Sequence, residues 1–234
     1  MLQVNLRNIT KLSFSTNEAY KSLRTNIQFC GSDIKTICIT SCLPNEGKSN
    51  VSFNLAKSLA ESGKKVIFID ADLRRSIIVG RYKPDQTIIG LTHYLSGQNK
   101  IDEILYETNI DNLDMIFTGS VPPNPAELLD SEIFSNLLKI FRKVYDYVII
   151  DTPPIGSVID SAIVAQKCDG VVIVIEANAI SYKLAQRAIQ QLEKSGSKIL
   201  GAVLNKYDIS QKKYGYESRK YKKYMDYYSD LYQD

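Results

Sequence analysis

Six short apolar runs mark the chain: Thr36–Thr40, Val66–Ile69, Leu113–Phe117, Tyr147–Ile150, Val171–Ile175 and Ile199–Leu204. Together they are rich in β-branched residues, and apolar and polar positions do not alternate cleanly within them. Such runs suit strands covered on both faces, as in a parallel sheet. Helical spacing fills segments between them. Ser49–Glu61 carries Val51, Leu55 and Leu59 on one stripe, and Ile180–Glu193 does the same with Leu184, Ala188 and Leu192. Strand and helix alternate, which predicts an α/β fold with a doubly wound, mainly parallel sheet. Residues Asn17–Phe29 predict a helix outside the sheet. Asn124-Pro125-Ala126-Glu127 reads as a helix start, with Asn124 capping, Pro125 in the first turn and Glu127 closing a capping box. Val121-Pro122-Pro123 before it predicts a stiff loop. No repeat and no flexible interdomain linker is visible. Residues 1–205 are therefore expected to form one domain, and 206–234, of different composition, a tail.

Composition narrows the class. A chain of 234 residues with 44% hydrophobic and 24% charged positions is ordinary for one globular domain, which excludes wholesale disorder and fibrous repeats. With 29 basic and 26 acidic residues the net charge is +3, too balanced for a chain that binds nucleic acid along its length. No apolar run approaches the roughly 18 residues of a membrane span. The first 14 residues lack the apolar core of a signal peptide, so a cytoplasmic location is expected. Cys30, Cys38, Cys42 and Cys168 show no metal-ligand spacing, and His93 is the single histidine. This argues against a zinc site or a histidine-based triad. Reduced, mostly buried thiols are expected.

The first long apolar run ends in Ser41-Cys42-Leu43-Pro44-Asn45-Glu46-Gly47-Lys48-Ser49. Gly-Lys-Ser between a strand and a helix is the core of a phosphate loop, the Walker A motif. Its backbone N–H groups and the helix start bind phosphate oxygens. Gly47 allows close approach, Lys48 brings a compact charge, and Ser49 offers a hard oxygen to Mg²⁺. Pro44, Asn45, Glu46, Gly47, Lys48, Ser49 and Asn50 are the candidate nucleotide contacts. Cys42 stands where the general pattern begins with Gly.

Two further strands end in acids. Val66–Ile69 leads into Asp70-Ala71-Asp72-Leu73-Arg74, a Walker A′ pattern, and Tyr147–Ile150 leads into Asp151-Thr152-Pro153-Pro154, as in a Walker B motif. The C-terminal edge of an open α/β sheet is where ligands bind. Three carboxylates and a phosphate loop on one edge point to a metal–nucleotide site. ATP and Mg²⁺ are the expected ligands, with Ser49, Asp70 and Asp151 toward the metal and Lys48, Asp70 and Asp72 toward the chemistry. Which aspartate would act as base stays open. Arg74 and Arg75 read equally as charge stabilisers or as solvated surface residues.

These motifs jointly resemble the bacterial tyrosine kinases of capsular and exopolysaccharide synthesis. Further matches are Glu18-Ala-Tyr20-Lys21-Ser-Leu-Arg24, the stretch Gly90-Leu91…Tyr94-Leu95…Gly97, and Pro122-Pro123-Asn124-Pro125-Ala-Glu127. The resemblance runs from about residue 17 to the end. It implies a cytoplasmic kinase chain of the two-protein type. Its partners would be a transmembrane polysaccharide co-polymerase that activates it and a cognate tyrosine phosphatase. Membrane attachment at the inner face would come only through the co-polymerase. The resemblance also implies a ring-like homo-oligomer built through the helix of residues 17–29, with Glu18, Lys21 and Arg24 in the interface. The family pattern is Glu-x-x-Arg-x-x-Arg. Lys21 replaces the first Arg and cannot reproduce its forked contact. Asn45 stands where the family usually has Gly.

The tail adds its own observation. Tyr214, Tyr216, Tyr221, Tyr224, Tyr227, Tyr228 and Tyr232 place seven of the chain's 15 tyrosines in the last 21 residues, among lysines. An amphipathic helix or a basic aromatic nucleic-acid segment would also read this way. The resemblance favours a phosphoacceptor cluster, phosphorylated mostly between subunits. From Lys206 onward seven basic and five acidic residues give +2, so two phosphotyrosines at roughly −1.5 to −2 each reverse the tail's sign. Two rival classes remain in view. A partitioning or septum-placement ATPase would carry a signature Lys where Leu43 stands. A GTPase is suggested by Asn205-Lys206-Tyr207-Asp208 but lacks Asp-x-x-Gly after the Walker B strand. In the broader fold group Asn205 contacts a purine. The remaining reading is a catalytically silent scaffold.

Overall fold

A computed structural model describes residues 2–207. Eight strands form one sheet in the order β1 (Leu2–Val4), β4 (Tyr106–Thr108), β5 (Leu113–Ile116), β3 (Val66–Asp70), β6 (Tyr147–Asp151), β2 (Thr36–Ser41), β7 (Gly170–Glu176) and β8 (Ile199–Asn205). The six strands from β5 to β8 run parallel. β4 pairs antiparallel with β5, and β1 pairs parallel with β4, so that edge runs the other way. Helices cover both faces. Helices α1 (Phe14–Phe29), α2 (Lys48–Glu61) and α3 (Ile78–Tyr82) lie on one side. The other side carries α4 (Leu91–Leu95), α5 (Pro125–Asp130), α6 (Glu132–Val144), α7 (Asp160–Gln166) and α8 (Tyr182–Lys194).

Side-chain alternation divides the core in two. Ile37 and Ile39 point toward α1 and α2, while Cys38 points toward α7. Phe53 of α2 stacks on Tyr82 at 3.9 Å and meets Phe68 of β3 edge-on at 5.8 Å. Truncating a buried Phe of this kind costs about 3–5 kcal/mol. This packing fixes α2, and with it the loop that α2 continues, against the central strands.

The expected strands and helices are present within a few residues of their sequence bounds. Helix α1 begins earlier than expected, at Phe14, because the Ser13 hydroxyl accepts the Thr16 N–H at 3.2 Å. The capping box at Asn124 does not form. Asn124 precedes α5, but its side chain makes no cap bond. Its amide donates to the Glu127 carboxylate at 2.8 Å, so the two polar groups satisfy each other rather than the backbone. The outer strand β8 is half covered, unlike the inner strands. Cys38 and Cys42 are buried as expected, while Cys30 and Cys168 are only partly so. Among the described residues no helix is long and apolar enough to cross a membrane.

Candidate active site

The sheet edge carrying the ends of β2, β3 and β6 gathers the chemistry. Register pairs Asp70 with Asp151 on neighbouring strands β3 and β6, and the phosphate loop follows β2 on the other side of β6. Gly47 caps α2 in the left-handed region at φ +91° and has no side chain to offer. The first N–H groups of α2 are thereby left for a ligand. Asn45 is also left-handed, at φ 68°.

Lys48 is buried, and its ammonium is shared. It lies 3.1 Å from Asp72 Oδ2, 3.5 Å from Asp151 Oδ2 and 3.1 Å from the Ser49 hydroxyl. Burial alone pushes this ammonium down, but Asp151 and Asp72 outweigh it and hold it above its ordinary value. Asp151 is buried, and burial raises its carboxyl despite Lys48 and the serine hydroxyls beside it. Asp70 is fully buried. Burial, followed by the neighbouring Asp151, pushes it up to about 8. It accepts from the Ser76 hydroxyl and from the Asp72 N–H.

The other predicted contacts divide. Pro44 and Asn45 are exposed on the loop. Glu46 turns its carboxylate inward, where it accepts the Leu43 N–H at 2.6 Å and the Glu176 N–H at 3.2 Å. It braces the loop against the end of β7, leaving only its backbone for a ligand. Asn205, at the end of β8, donates to the Glu46 carbonyl at 2.8 Å, which places it beside the loop. The Asn50 side chain is engaged by Asn54 within α2. Arg74 forks onto buried Asp160 and is not poised over the loop, whereas the Arg75 side chain lies exposed along a cavity. Glu18 and Lys21 pair at 2.7 Å on the surface of α1, and Arg24 donates to the Ser58 carbonyl of α2 at 2.7 Å. The seven tail tyrosines lie outside the described residues.

Three supporting residues were not anticipated. Ser52 donates to Asp151 Oδ1 at 3.0 Å, Ser76 holds Asp70, and Asp160 holds Arg74. Only Ser52 had a signal, since it follows Ser49 by three residues and so shares its helix face. A cavity of about 550 Å³ opens beside Asp72, flanked by Arg75, Val79, Thr118 and Val121.

Among the described residues no three His, Cys, Asp or Glu side chains form a group that could hold a metal ion by themselves. The Ser49 hydroxyl and Asp151, with Asp70 beside it, nonetheless fit Mg²⁺, which usually takes one or two protein oxygens and completes its shell with phosphates and water.

A phosphate loop, a lysine between Asp72, just past β3, and Asp151, which ends β6, and a mainly parallel sheet define a P-loop nucleotide-binding protein. The chain matches the AAA-domain family over residues 34–206. It is 46% identical to the tyrosine-protein kinase CpsD of Streptococcus agalactiae over 200 residues, covering 86% of this chain and 87% of that one. Among solved structures, the kinase domain of the Escherichia coli tyrosine kinase ETK superposes with a TM-score of 0.77 at 34% identity, covering 86% of this chain and 81% of that one. More distant is the septum site-determining protein MinD complexed with Mg-ADP from Pyrococcus horikoshii, at TM-score 0.63 and 26% identity, covering 79% and 75%. The chain belongs to the bacterial tyrosine-kinase family, and it is a protein-tyrosine kinase by that membership.

Proposed function

We propose that the chain is an ATP-dependent autokinase that phosphorylates its own C-terminal tyrosine cluster, mostly between subunits of an oligomer, and thereby regulates capsular or exopolysaccharide synthesis and export. The observation that carries this reading is the Lys48 ammonium between Asp72 and Asp151, beside a cavity of about 550 Å³, in a chain with seven tyrosines in its last 21 residues.

In this reading the ATP phosphates lie along residues Asn45 to Ser49, with Lys48 against the β- and γ-phosphoryl oxygens. Mg²⁺, bound through Ser49 and Asp151 with Asp70 in support, would neutralise phosphate charge. The acceptor phenol enters the cavity beside Asp72. Its oxygen forms a bond to the γ-phosphorus as the bond to the leaving ADP oxygen breaks. Asp72 takes the phenolic proton, which lowers the barrier for a nucleophile with a pKa of roughly 10. Asp72 suits this role better than Asp70, because Asp72 lines the cavity, whereas Asp70 is fully buried and held by the Ser76 hydroxyl and the Asp72 N–H. Alignment and charge neutralisation supply most of the acceleration.

Membership of the bacterial tyrosine-kinase family extends the proposal to the chain's setting. It would be cytoplasmic and held at the inner membrane face by a transmembrane polysaccharide co-polymerase that activates it. A cognate tyrosine phosphatase would reset it. The surface position of Glu18 and Lys21 on α1 is compatible with a ring interface, while Arg24 serves the chain's own α2.

The test is intact-mass and phosphotyrosine mapping after incubation with Mg-ATP, beside a Lys48→Met control, with the co-polymerase's cytoplasmic segment added to both. Phosphate on the 214–232 tyrosines that vanishes in the control supports the proposal. ATP turnover without phosphate transfer moves the chain to the septum-placement type of ATPase. Absence of both marks a scaffold.

A further inference from the structure

A second cavity, of about 280 Å³, lies at the opposite end of β2 from the phosphate loop. Thr36, Ser135, Leu138, Lys139, Arg142 and Lys167 line it. Thr36 opens β2, and five residue steps of about 3.3 Å put it roughly 17 Å from Ser41. Alternation along β2 gives Thr36 the face of Cys38, toward α6 and α7.

Thr36 is 2% exposed, and its hydroxyl has no hydrogen-bond partner among the described residues. A buried hydroxyl left unpaired costs about 1–3 kcal/mol. Around it the cations outnumber the acids. Arg142 spends Nε and Nη2 on Asp169 and on the Asp33 carbonyl. Lys167 donates to the Ser135 hydroxyl at 2.9 Å and to the Asp130 carbonyl at 3.0 Å, with the Asp130 carboxylate 3.4 Å away. Lys139 has no ion-pair or hydrogen-bond partner among the described residues. Three cations thus face two carboxylates, and one positive charge is left over.

We infer that this cavity binds a phosphate monoester. Such a group carries roughly −1.5 to −2 at neutral pH and presents several strong acceptors. Lys139 and the unspent amino group of Arg142 supply charge, and the Thr36 hydroxyl can donate, while Ser135 spends its proton on the Ser131 carbonyl at 3.2 Å. Leu138 gives the organic part an apolar wall, and the volume leaves room for it. The inference is independent of the autokinase proposal, since none of these residues belongs to the phosphate-loop site.

The experiment fills the phosphate loop first. The full chain saturated with Mg-ADP is titrated by calorimetry with inorganic phosphate and, separately, with phenyl phosphate. The same titrations are run on Lys139→Ala and Thr36→Val. Both probes are expected to bind the parent. Lys139→Ala should weaken binding about tenfold or more, the range of a charged hydrogen bond, and Thr36→Val about fivefold. The thermal midpoint of Thr36→Val should stay level or rise, because a methyl group replaces an unpaired hydroxyl of the same shape. Tighter binding of phenyl phosphate supports the monoester, and equal or weaker binding overturns it in favour of free phosphate. No binding to the parent overturns the inference, as does affinity unchanged in both variants. An effect of Lys139→Ala with Thr36→Val neutral reduces the site to surface charge and also overturns it. Should Thr36→Val fold poorly, Thr36→Ala takes its place under the same criteria, and unchanged affinity in the exposed Lys139→Ala overturns the inference by itself.

Discussion

The guanidinium of Arg74 forks onto the carboxylate of Asp160, with Nε to Oδ2 at 2.8 Å and Nη2 to Oδ1 at 2.9 Å. Asp160 is fully buried, whereas the Arg74 side chain is 41% exposed. The pair ties the loop after β3 to the first turn of α7. Removing one partner of a buried pair costs about 3–5 kcal/mol, and the exposure of Arg74 lowers the expectation to about 2 kcal/mol. Arg74→Ala should shift the urea midpoint accordingly. Arg74→Lys should recover only part, because an ammonium cannot fork. An unchanged midpoint in Arg74→Ala would show that the pair adds no stability.

Gly47 admits no side chain, for two reasons. Its φ of +91° strains any L-residue, and an added Cβ would meet Asn205 Nδ2 at 2.2 Å. Gly47→Ala should leave the folded spectrum intact and weaken ADP binding at least tenfold. Asn205→Gly in the same background removes the clash but not the strain, so it should restore affinity only in part. Full restoration would assign the whole defect to the clash.

Asp70 makes nucleotide-free stability depend on pH. An unfolded aspartate titrates near 3.9, while Asp70 holds its proton to about 8. A raised carboxyl contributes stability that is complete below the unfolded value and is lost as pH rises through about 8. Asp70→Asn removes this loss. The parent's thermal midpoint should therefore fall relative to Asp70→Asn between pH 5 and pH 9, as read by calorimetry without nucleotide. Parallel pH profiles would refute this.

Burial pushes the Cys38 thiol up to about 12 and the Cys42 thiol up to about 11. Thiolate is the reactive form. Iodoacetamide at pH 8 should label the partly exposed Cys30 well before Cys38 or Cys42, as peptide mass mapping would show. Early labelling of Cys42 would mean that the loop opens on that timescale.

The central strands and the acids at their ends were legible because burial on both faces writes continuous apolar runs, and a carboxylate directly after such a run stands out. The outer strands β1 and β4 were not, since three residues apiece carry no period. Asp160 and Ser76 were hidden because their partners lie 86 and 6 residues away, and no spacing rule announces either contact. Glu46 was read as a nucleotide contact through its place in the motif. Only the fold shows its carboxylate turned onto the backbone N–H groups of Leu43 in the loop and Glu176 at the end of β7. The Asn124 capping box failed on a local competition, since a side-chain amide met Glu127 more readily than Glu127 met the backbone.

Lys206 reaches back to the Asn45 carbonyl and to Glu176, both at 2.8 Å, so the chain leaves its described fold at the rim of its own phosphate loop. Tyr214 follows Lys206 by eight residues in the sequence, a separation that cannot exceed about 30 Å. On the proposed function, that reach would make each chain's own Tyr214 a competitor for a tyrosine offered by a neighbour, and dilution would separate the two. Transfer within one chain keeps its rate as the protein is diluted, while transfer between chains slows in proportion. On that proposal, the anchoring of Lys206 makes dilution a direct measure of whether phosphate moves within one chain or between chains.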